Sequence, residues 1–194
     1  IWRFRVTFPW LDILLHADDI DPAFRRILYS PELVIIFAYV FGEFLIIPVG
    51  QVFGSRSAPS FFSLASDLRA DIATTSEVQA DFLLHPLAQN IKLPSAPAPE
   101  SLMPAIADAL NPPLSDLEQT HYNNDSFVDD NVISAPRHRI VQALQQSLVS
   151  AFILFGWPSE DRRNSCMAAD KWDPIVSFRV LFLGYLIDSR AMLM

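Results

Sequence analysis

Apolar positions along this chain come in runs that predict alternating short strands and helices. Residues 12–17 form a dense apolar block, read as a strand that delivers Asp18 and Asp19 to its end. Pro22 then opens a helical turn through Ile27, because proline is preset for a first helical position. Leu33 to Val49 is almost wholly apolar over 17 residues, but Gly42-Glu43 divides it and its flanks are aromatic and β-branched. That pattern predicts two buried strands joined by a tight turn in preference to a membrane-spanning helix.

Further on, Gly50 and Gly54 mark a loop leading to Pro59, after which Phe61, Phe62, Leu64, Ala65 and Leu68 recur at helical spacing. Prolines at 94, 97, 99, 104, 112 and 113 interrupt regular structure, so a surface insertion is expected over about 71–120. Phe127-Val128 and Val132-Ile133 flank Asp129-Asp130-Asn131, which reads as a hairpin with its turn on those three residues. Pro136 begins an amphipathic helix whose stripe is Ile140, Val141, Leu144, Leu148, Phe152 and Phe155, stopped by Gly156. Strands over 165–169 and 179–187 complete the pattern.

The 51% hydrophobic content over 194 residues suffices for one folded domain with a core. A net charge of −8 runs against a nucleic-acid partner unless the acidic groups are metal ligands and basic groups lie on neighbouring segments. The single cysteine, Cys166, excludes an internal disulfide and a cysteine-rich zinc site; it reads as a buried apolar residue. Residues 1–10 lack the apolar stretch of a cleavable signal peptide, and an intracellular location is expected. His16, His85, His121 and His138 share no metal-ligand spacing.

Two acidic clusters at strand ends suit one demanding chemistry. Nucleotidyl transfer needs two divalent ions about 4 Å apart, clamping the attacking and leaving oxygens. Magnesium takes oxygen ligands and keeps positions open for phosphate and water. Asp19-Ile20-Asp21-Pro22-Ala23-Phe24-Arg25 resembles the first palm motif of reverse transcriptases, and Phe127-Val128-Asp129-Asp130 is similar to their aromatic-x-Asp-Asp hairpin. Between them, Phe53-Gly54-Ser55-Arg56-Ser57-Ala58-Pro59 resembles the glycine loop and Ala-Pro helix start beside the incoming nucleotide. Phe182-Leu183-Gly184-Tyr185 resembles the hairpin that grips the primer. The four motifs stand in the family's order over roughly residues 12–190.

The resemblance implies an α+β fold: a palm-like antiparallel sheet backed by two helices, with partial fingers. It implies an RNA-directed DNA polymerase of retroelement type, with Asp19, Asp129 and Asp130 catalytic. Asp19, Asp129, Asp130 and the backbone of Ile20 would bind Mg2+ or Mn2+. Ile20, Phe24, Gly54 and Lys171 would contact the deoxynucleoside triphosphate, Phe24 lying under the sugar. Leu183 and Gly184 would hold the primer. The implied partners are an RNA or DNA template–primer and the thumb and ribonuclease H regions of a parent polyprotein; this stretch by itself is expected to be inactive, and no membrane is implied. Pro22 departs from the family's pattern and removes a backbone donor near the triphosphate. That departure and the acidic balance favour the alternative reading, an inactive retroelement relic serving as an interaction scaffold.

Overall fold

The computed structural model describes residues 12–52, 54–75, 91–95, 122–156, 166–167, 172 and 175–190. The fold is α+β, with small antiparallel sheets and, among the described residues, three α-helices. Among the described residues the central sheet has three strands: β1 (Ile13–Asp19), which begins where an apolar block was expected, and two strands from the later hairpin. The four-residue helix α1 (Pro31–Val34) and the ribbon of β2 (Tyr39–Phe41) and β3 (Phe44–Ile46) follow. Next come α2 (Ala58–Thr75), β4 (Asn123–Phe127), β5 (Asp130–Pro136) and α3 (Ile140–Phe155). The last ribbon pairs β6 (Arg179–Phe182) with β7 (Tyr185–Asp188). In the central sheet β5 lies between β1 and β4.

Side chains alternate between the faces of a strand, and directly opposite residues share a face. Leu14 pairs with Ala135, His16 with Ile133 and Asp18 with Asn131. Leu14, Ile133 and Ala135 join Phe62 of α2 and Ile140, Leu144, Leu148 and Phe152 of α3 in one buried cluster, so the helices cover this face. Phe62 and Phe155 stack with ring centroids 5.4 Å apart, closing one helix on the other. The stripe predicted for α3 is therefore its buried face. Gly156 caps that helix with φ +100°, and its N–H donates to the Phe152 carbonyl.

Several sequence expectations are corrected. The helix expected from Pro136 begins at Ile140, because β5 runs through Pro136 and a turn intervenes, with the Arg139 N–H donating to Pro136 O. Helix α2 extends to Thr75, into the expected insertion, of which residues 76–90 and 96–120 lie outside the described residues. The stripe on α2 is rotated: Phe62 is buried, but Phe61, Leu64 and Leu68 are exposed, and Ser66 and Arg69 face inward instead. A buried ion pair described below sets this rotation. The hairpin expected over 33–49 forms, with Gly42 at φ +62°, but its strands are exposed, not buried. An unbroken apolar run suits a strand covered on both faces, and the described residues cover neither face of this ribbon. No described helix is long and apolar enough to cross a membrane.

Candidate functional site

The β4–β5 hairpin closes tightly. Phe127 pairs with Asp130, so the turn is Val128-Asp129 alone: it starts one residue earlier than the three-residue turn expected, and Asp130 and Asn131 belong to β5. Val128 adopts φ +56°, a left-handed conformation that a β-branched residue adopts at a cost of about 1–3 kcal/mol. Two contacts hold it there: Ser66 Oγ donates to the Val128 carbonyl, and the Ile20 N–H donates to the Asp129 carbonyl at 3.4 Å. The turn tip is thereby tied to α2 and to the end of β1.

Asp19 and Asp130 are direct cross-strand partners. Opposed residues in an antiparallel pair have Cβ atoms about 4.5–5.5 Å apart, and like charges there are destabilising. Asp19 is 5% exposed, which adds a solvation cost to its charge.

One residue earlier, Asp18 points to the opposite face and is fully committed. Arg69 from α2 donates to Asp18 Oδ1 at 2.8 Å and Oδ2 at 3.0 Å, and both side chains are buried. Arg69 Nη2 also donates to Ser147 Oγ of α3 at 2.7 Å, and Asn131 Nδ2 to Asp18 Oδ2 at 3.3 Å. This forked pair locks both helices to the strand end that presents Asp19. Sequence reasoning missed it; the signal was Arg69 in phase with Phe62 and Ala73 on one helical face.

A cavity of about 260 Å³ opens at this corner, lined by residues 19–25 with Gln51 and Asp129. The expected residues Asp19, Ile20, Phe24 and Asp129 thus meet in one place. Phe24 packs edge-on against Phe62, centroids 5.9 Å apart, which fixes its ring at the cavity wall. The Ile20 carbonyl accepts from the Ala23 N–H at 3.1 Å, closing the bend on itself, and the Asp21 N–H donates to Cys166 O at 3.0 Å, tying the bend to a distant segment. The two arginines after it differ. Arg26 is tied to the carbonyls of Asp21 and Phe155, whereas Arg25 is exposed on the cavity lining.

Other expected residues stand elsewhere. Gly54 has φ +89°, which only glycine adopts readily, but it does not line the cavity. Leu183 and Gly184, at φ +50° and +80°, form the turn between β6 and β7. Lys171 lies outside the described residues. Among the described residues, no three His, Cys, Asp or Glu side chains form a metal-holding group. Cys166 is buried, and burial pushes its thiol up to about 11, which keeps it protonated and unreactive at neutral pH.

Gln51 was not anticipated. It reaches the cavity because residues 27–29 run against 49–51: the Gln51 N–H donates to Ile27 O and the Tyr29 N–H to Val49 O, both at 2.9 Å. Gly50 makes this approach possible, since a Cβ there would collide with the Arg25 backbone. Gly50→Ala should therefore cost about 1–3 kcal/mol, read as a lowered urea midpoint with an unchanged slope. An unshifted midpoint would show that the ribbon tolerates a side chain there.

No family model, curated protein or solved structure matches the chain.

Proposed function

We propose that this chain is the palm region of a reverse transcriptase, adding deoxynucleotides to a primer 3′-hydroxyl. The observation that carries the reading is the convergence of Asp19 and Asp129, 110 positions apart in sequence, on one cavity. Both belong to motifs resembling those of that family, and the β1–β5–β4 sheet with two covering helices suits a palm.

The donor set fits magnesium or manganese. Magnesium is commonly held by one or two carboxylates, with waters and substrate phosphates completing its shell, so three protein ligands are not required. When bound, the ions would neutralise phosphate charge and activate the primer oxygen. The chain's own residues supply the rest. Asp19 and Asp129 hold the cations, Asp130 reinforces the negative field from the adjoining strand position, and Phe24 offers an apolar ring beside the sugar. Arg25, exposed at the rim, suits a phosphate oxygen.

A second reading, a non-catalytic scaffold descended from such a palm, is favoured by Pro22. This residue lines the cavity without a backbone donor, in a chain of net charge −8. Calorimetric titration with deoxythymidine triphosphate separates the two. The polymerase reading expects binding that requires Mg2+ and disappears on chelation. Absence of binding, or binding indifferent to the metal, leaves the scaffold.

A further inference from the structure

The Gln51 side chain has no role in the proposal above, although it is one of the most buried polar groups at the cavity. It is 6% exposed, and its Oε1 is buried without a hydrogen-bond partner. A buried acceptor left unmade costs about 1–3 kcal/mol, so its retention calls for a donor from another source.

No group of the cavity wall donates to it: the Arg25 guanidinium also lines the cavity, but it is exposed and makes no hydrogen bond to Gln51 Oε1. A carbonyl oxygen only accepts, and so do the ionised carboxylates of Asp19 and Asp129. Four of the neighbouring backbone donors are already engaged: Ile20 N–H with Asp129 O, Asp21 N–H with Cys166 O, Ala23 N–H with Ile20 O and Arg25 N–H with Pro22 O. Pro22 has none. Apart from the exposed Arg25, the side chains of Asp19, Asp129 and Gln51 thus bring acceptor oxygens to one cavity, and the Gln51 oxygen, fixed by the Gly50 approach, is left unsatisfied.

A hydrated divalent cation meets that arrangement, because its coordinated waters are strong donors while the ion itself balances the carboxylates. A cavity of about 260 Å³ has room for a magnesium ion and waters at about 2.1 Å from it. We infer that Gln51 is an outer-sphere metal residue, its amide oxygen accepting from a water on a cation held by Asp19 and Asp129. The inference rests on the polymerase reading only in taking those carboxylates as the cation's seat; it assigns Gln51 a positioning role in cation affinity before any nucleotide arrives.

The test is Mn2+ binding by the chain alone, followed by electron paramagnetic resonance of the free ion, with apo melting temperature as the folding control. Outer-shell partners are typically worth 10–100-fold in metal affinity, so Gln51→Leu should weaken Mn2+ binding by that factor. Gln51→Glu, which keeps an acceptor and adds charge, should bind as tightly as the parent or more so. If the parent binds Mn2+ but Gln51→Leu binds equally well, the role of Gln51 is overturned while the carboxylate site stands. If the parent binds no Mn2+, the carboxylate site itself is overturned. Should the leucine variant fail to fold, Gln51→Glu decides: affinity kept or raised supports the role, and affinity lost overturns it.

Discussion

Asn in place of Asp129 is expected to abolish metal-dependent deoxynucleotide addition, lowering the rate by about 10³-fold. The factor follows from charge. A metal that stabilises a phosphoryl transition state contributes several kcal/mol, and about 4 kcal/mol is three orders of magnitude at 1.36 kcal/mol per decade. Asparagine keeps the shape of the Val128-Asp129 turn but removes the negative charge that would hold the cation. Asp129 lines the cavity, whereas Asp130 sits one step into β5 opposite Asp19. Asp130→Asn should therefore be milder, about tenfold, because it also relieves a cross-strand repulsion. Single-nucleotide extension of a labelled primer, by the longest natural chain containing this segment, measures both. Retained activity in Asp129→Asn would remove that residue from the chemistry.

Arg69→Leu should destabilise the fold by about 3–5 kcal/mol, the usual cost of leaving one buried charge without its partner. Asp18 would keep only weaker contacts with Asn131 and Ser147 at 3.3 and 3.5 Å. At about 2–4 °C per kcal/mol for a chain of this size, the melting temperature should fall by about 6–20 °C. The paired variant Arg69→Met with Asp18→Leu should recover most of the loss, because replacing both partners by apolar groups avoids the unpaired charge. A single variant that melts with the parent would mean that Arg69 does not orient α2. Metal affinity should also suffer in the single variant, since the clamp at Asp18 fixes the strand end that presents Asp19.

Local pattern revealed the pieces of this molecule better than their surroundings. The apolar block before Asp18, the α3 stripe and both aspartate-bearing strand ends were legible because period and turn chemistry act over a few residues. The orientation of α2 was not. Hydrophobicity pointed to Phe61, Leu64 and Leu68, but a buried Arg69–Asp18 pair, formed across 51 positions, turned the helix the other way. Burial of the β2–β3 ribbon was likewise expected from composition alone, and burial depends on a cover that an apolar run cannot specify. Gln51 stayed hidden for a related reason: its position follows from Gly50 pressing on Arg25, a contact between loops.

Holding the carboxylates of Asp19 and Asp129 together around a divalent ion is the claim on which function turns, and a Mn2+ titration followed by thermal melting tests it most directly. At a hundred times the dissociation constant, binding stabilises the fold by about 2.7 kcal/mol, a rise of about 5–11 °C in melting temperature. The parent chain should show that rise and the Asp19→Asn, Asp129→Asn double variant should not. An unmoved parent, or an equal rise in both, would contradict a metal site at this cavity.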